Sequence, residues 1–60
     1  MKVKLYTMCK YPQSQKIGCF IKDEEGKPVS PCFDDLVPLF AWLNIHYPNR
    51  QEDGYSGYIL

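Results

Sequence analysis

The sequence predicts an α+β fold: a small antiparallel sheet of three to four strands with one α-helix packed on one face. Three observations carry this. Residues 2–7 and 17–22 alternate apolar and polar side chains, as half-buried strands do. A stretch rich in Gly and Pro follows, and residues 36–46 then repeat their leucines at helical spacing. Sixty residues make one domain, 1–60, able to bury only about 60% of the surface its unfolded chain exposes. A core that thin leaves little room for a buried catalytic cleft, and a non-enzymatic role is expected.

The elements follow in chain order. Val3, Leu5 and Thr7 alternate with Lys2, Lys4 and Tyr6 in a first strand over 2–7. Pro12 and the polar run Gln13, Ser14, Gln15 and Lys16 mark residues 8–16 as a loop. Ile17, Cys19 and Ile21 alternate with Gly18, Phe20 and Lys22 in a second strand. Asp23-Glu24-Glu25-Gly26 reads as a turn, with Gly26 free to take positive φ. Residues 27–32 return as a short strand, which Pro28 and Pro31 confine to a sheet edge because neither can donate to a ladder. Asp35 is the expected helix N-cap, and Pro38 then falls at the third helical position, where a missing N–H costs nothing. Tyr47 precedes Pro48 and is pushed out of helical geometry, so the helix ends near His46. Residues 48–54 read as a polar loop ending in an Asp-Gly turn, and 55–60 as a last strand.

Composition bounds the function. With 45% hydrophobic and 23% charged residues the chain is too apolar for intrinsic disorder. Its longest apolar run, 36–43, is interrupted by Pro38 and falls far short of the roughly 20 residues of a membrane span. No apolar h-region stands near the N-terminus, and an odd cysteine count (Cys9, Cys19, Cys32) fits reduced thiols better than a disulfide framework. A cytoplasmic protein without membrane contact is expected.

The helix carries the functional signal. At about 100° per residue, Leu36, Leu39, Phe40 and Leu43 form one narrow stripe, expected to pack on the sheet. Pro38, Ala41, Trp42 and Ile45 fall roughly opposite, where a surface helix normally carries Lys, Glu or Gln. No charge occurs between Asp35 and Arg50. Such a face can dock on a partner protein, pack in a homodimer, or be covered by a tail carrying Tyr47, Tyr55 and Tyr58. Protein binding is the leading reading, with Trp42, Ile45, Pro38, Ala41 and Tyr47 as anchors, since Trp and Tyr are typical interface anchors.

The alternative is nucleic-acid binding. Residues 1–22 hold five lysines and no acid, whereas 23–60 hold two cations against seven acids. Lys2, Lys4, Lys10, Lys16 and Lys22, interleaved with Tyr6, Tyr11 and Phe20, could make a basic stacking face. The zero net charge and the single Arg weaken it. Solvated strand lysines are the plainer reading of the same residues.

Other chemistry has weaker support. Cys9, Cys19, Cys32 and His46 are the right types for zinc, but gaps of nine, twelve and thirteen residues lack the close Cys pair that seats a metal. No metal or cofactor is therefore expected. The segment Lys4-Leu5-Tyr6-Thr7-Met8-Cys9-Lys10-Tyr11-Pro12 resembles the first strand and Cys loop of glutaredoxin-like proteins, without their second Cys. Ser14, Ser30 and Ser56 stand in no nucleophile motif with His46, which is expected to favour the C-terminal end of the helix dipole.

Glu25, Gly26, Pro28, Ser30, Pro31, Phe33, Leu39, Trp42 and Leu43 together resemble a segment of small tailed-phage proteins, EGxPxSPxF followed by a short capped helix ending in Trp-Leu. The likeness spans about twenty of the 60 residues. It departs at Leu36, where those proteins start the helix with Pro. The resemblance implies a phage or prophage accessory protein acting on a host protein, and it assigns no site residues.

Overall fold

The computed structural model describes residues 2–57. Strand β1 (Lys2–Lys10) is followed by β2 (Ile17–Lys22), helix α1 (Leu36–His46) and β3 (Gln51–Gly57). The fold is α+β, with a three-stranded sheet in the order β2-β1-β3 and a single helix. The sheet is mixed: β2 pairs with β1 antiparallel and β3 pairs with it parallel. Passage through α1 reverses the chain between β2 and β3, and parallel strands need a crossover of this kind.

Strand β1 runs three residues further than its alternation indicates. Tyr6 lies opposite Phe20 and Cys9 opposite Gly18, so one extra residue is inserted around Thr7–Met8, and Met8 takes φ 53°. The bulge breaks the period of two, so this part of a strand has the pattern of a loop. Strand β3 begins at Gln51, four residues before the expected start. Its polar residues suit a strand paired on one side only, and Asp53-Gly54 forms a bulge against β1 rather than a turn, with Gly54 at φ 124°. Residues 58–60 of the expected last strand lie outside the described residues.

The expected edge strand at 27–32 is present only as two isolated bridges on β2, Lys22 to Pro28 and Cys19 to Phe33. Pro28 and Pro31 have no N–H to offer, and a side chain fills in. Ser30 Oγ accepts from Ile21 N at 3.0 Å and donates to the Pro31 carbonyl at 2.9 Å, while Ser30 is only 4% exposed. Gly18 lets this segment approach closely. A Cβ there would collide with Cys32 Sγ and lie 2.6 Å from the Phe33 carbonyl oxygen. The preceding turn is tied by Asp23 Oδ1, which accepts from the N–H groups of Glu25 and Lys27, and Gly26 takes φ 84°.

The core lies between sheet and helix. Val3, Leu5, Cys19 and Ile21 meet Leu39 and Leu43, all essentially inaccessible. Burial of each leucine stabilises the fold by about 1.5–3 kcal/mol. Phe20 occupies the opposite sheet face and is nevertheless 1% exposed, stacked on Tyr6 at 5.3 Å and meeting the Tyr11 ring edge-on at 5.0 Å. The Tyr11 hydroxyl donates to the Ser30 carbonyl at 2.8 Å, which joins this aromatic layer to the segment along β2.

Replacing Ser30 by Ala leaves the Ile21 N–H buried without an acceptor. The expected loss is about 1–3 kcal/mol of stability, read as a lowered denaturation midpoint at unchanged slope. An unchanged midpoint would show that this bond contributes nothing.

Candidate functional site: the outer face of the helix

Asp35 caps α1 as expected, its Oδ1 accepting from Leu36 N at 2.7 Å. At the other end Tyr47 N donates to the Leu43 carbonyl at 2.7 Å. Arg50 then secures the exit. Its Nη1 donates to Asn44 Oδ1 at 3.0 Å and to the Tyr47 carbonyl at 3.4 Å, and its Nη2 pairs with Glu52 at 3.1 Å. Sequence reading missed Arg50. Its only signal was being the one cation between the helix and the last strand.

Leu39 and Leu43 point straight at the sheet, which fixes the rotation of the helix. Phe40 and Trp42 then lie about 80° to either side at 100° per residue. Both are half-buried and packed against the core. Trp42 is therefore a flank residue and does not stand opposite the leucine stripe, which corrects the expected placement. Its ring stacks on His46 at 4.2 Å and meets Tyr47 at 5.7 Å and Phe33 at 6.4 Å. Of the three tyrosines expected to cover it, Tyr47 does so in part, Tyr55 is 61% exposed, and Tyr58 lies outside the described residues.

Pro38, Ala41 and Ile45 occupy the outer side as expected, and all three are exposed. Val37 joins them and was missed, because attention to Trp42 displaced the predicted face by about a quarter turn. Val37 is 74% and Ile45 76% exposed, and Ala41 lies between them at the i, i+4, i+8 spacing that stacks side chains on one face. An apolar stripe of helix is thus presented to solvent.

The lysines are dispersed. Lys2, Lys4, Tyr6 and Lys22 share the sheet face away from the helix by register, whereas the bulge places Lys10, opposite Ile17, on the other face. Lys16 lies in the loop before β2. Lys4 and Lys22 are direct cross-strand neighbours, and both ammonium groups lie over the Tyr6 ring, at 5.9 and 4.6 Å from its centroid. A depression of about 200 Å³ on this side is lined by Lys2, Lys4 and Tyr6, but also by Asp23, Glu24 and Asp53. These carboxylates offset the local positive charge, and burial removes Phe20 from any stacking role.

Cysteine chemistry is likewise divided. Cys19 is in the core, Cys9 lies on β1 with its Sγ 3.4 Å from the Thr7 carbonyl, and Cys32 is half-buried beside Gly18. Among the described residues no three potential metal ligands are gathered at one place. Burial, and then the nearby Asp34 and Cys19, push the Cys32 thiol up from its ordinary range, with Lys16 opposing. No helix among the described residues is long and apolar enough to cross a membrane. No family model matches the chain, and no curated protein or solved structure matches it significantly.

Two outcomes follow from this geometry. Trp42→Ala should lower stability by roughly 2–3 kcal/mol, less than for a fully buried tryptophan, measured by chemical denaturation; no loss would remove Trp42 from the core. Alkylation of Cys32, followed by peptide mass mapping, should reach half its maximal rate at a pH above that of a free cysteine, because the neutral thiol is favoured; a lower midpoint would contradict the burial.

Proposed function

We propose that this chain is a non-catalytic protein-binding module that docks through the outer face of α1, with Val37, Pro38, Ala41 and Ile45 at the centre. Trp42 and Tyr47 form its flank. One observation carries the reading: the two largest aliphatic residues on that face, Val37 and Ile45, are 74% and 76% exposed on a helix without a charged residue. Scattered surface hydrophobics need no explanation, but a continuous apolar strip on a rigid element is the usual form of an interaction site. A cytoplasmic phage or prophage accessory protein acting on a host protein is the setting we propose, on the strength of the segment from Glu25 to Leu43.

The charge pattern gives less support to nucleic-acid binding, because acids share the depression that holds Lys2 and Lys4.

Ile45→Lys tests the docking role. Ile45 contributes little to the fold, so its replacement should change stability by no more than about 0.5 kcal/mol. Captured partner, or self-association, should fall at least tenfold by quantitative pull-down and sedimentation. Retention of all binding by a folded Ile45→Lys protein would remove the outer helix face as the interface.

A further inference from the structure

The outer stripe reads almost the same in both directions, and that property selects an occupant. Val37, Ala41 and Ile45 are spaced four residues apart, large-small-large, with the small residue at the centre. If a second helix of the same kind is laid antiparallel with Ala41 over Ala41, Val37 of each copy faces Ile45 of the other, and Pro38 faces Asn44. No charged pair is opposed along the seam, and the small central residue lets the two helix axes approach. The ends match as well. Antiparallel packing sets the positive N-terminal end of one helix dipole beside the negative C-terminal end of the other, and brings the exposed Asp34 and Asp35 toward exposed His46. A parallel arrangement would put like ends together.

We infer that the outer face of α1 is occupied by a second copy of this chain, in an antiparallel helix pair about a two-fold axis through Ala41. This rests on the docking face proposed above and names what covers it. The contact is isologous, so both copies bury the same residues and the assembly closes at two. Its size sets its strength. Eleven residues of helix span about 16 Å, and one face of that length buries well under the ~800 Å² per partner of a stable complex. Association is therefore weak and rapidly reversible, with the dimer filling as concentration rises.

Sedimentation velocity on the full chain, from a few micromolar to hundreds of micromolar, should show an apparent mass that approaches twice the monomer's. Ala41→Glu places two like charges on the axis and should hold the protein monomeric throughout, with an unchanged thermal transition because Ala41 is exposed in the monomer. The register is tested by paired changes. Val37→Lys with Ile45→Glu in one chain sets opposite charges across the two-fold and should retain association, whereas Val37→Lys with Ile45→Lys should abolish it. An Ala41→Glu protein that still dimerises would overturn the proposal by placing the interface elsewhere. A wild-type chain that stays monomeric at the highest concentration would overturn it too. In that case the docking face itself survives only if Ile45→Lys abolishes capture of a foreign protein, so the two failures are distinguishable.

Discussion

Leu39 and Leu43, pressed onto Val3, Leu5, Cys19 and Ile21, are the contact on which the rest of the molecule depends. A sheet of three strands offers a single helix one apolar bed, and the helix meets it with the two side chains that leave no accessible surface. Once those two are seated, every other residue of α1 has its direction assigned. Phe40 and Trp42 fall to the flanks, and Val37, Ala41 and Ile45 turn outward. The candidate site is thus a consequence of how the core is made, since a helix apolar nearly all round must leave one side uncovered when only one layer lies beneath it.

The opposite sheet face is closed by a different device. Tyr6, Phe20 and Tyr11 form an aromatic layer, and the Tyr11 hydroxyl anchors it to the segment running along β2. Lys4 and Lys22 would repel as direct cross-strand neighbours, yet both ammonium groups find the Tyr6 ring, whose negative face offsets part of that repulsion. Residues that looked available for stacking bases are in this way consumed by the fold.

What was legible in the sequence was whatever a local rule governs. The helix bounds follow from Asp35 and from Tyr47-Pro48, and the structure ends α1 at His46 as that pair requires. Gly26 takes the positive φ its turn position demands. Illegible were the features set by contact between distant segments. The bulge at Thr7–Met8 hides the end of β1, and the parallel pairing of polar β3 with β1 leaves no alternation to read. Ser30 looked like an ordinary loop serine, and its bond to the Ile21 N–H exists only because prolines strip the segment of backbone donors. For the site, Pro38, Ala41 and Ile45 were legible from helical angle, but Trp42 drew attention by its size. At about 80° from the core axis a large side chain can still reach inward, and it does.

The exposed stripe also cannot be removed by a small adjustment of the helix. Turning α1 by one residue, about 100°, would carry Val37 toward the sheet but lift Leu39 off it, exchanging a smaller buried side chain for a larger one. Both ends resist such a turn. Asp35 holds the first N–H, and Arg50 joins Asn44 and the Tyr47 carbonyl to Glu52 on β3. A helix fixed in rotation, capped at its start and tied at its exit, presents Val37, Ala41 and Ile45 in a constant arrangement. Little ordering entropy remains to be lost when that face is covered, so even a short stripe can support a specific contact.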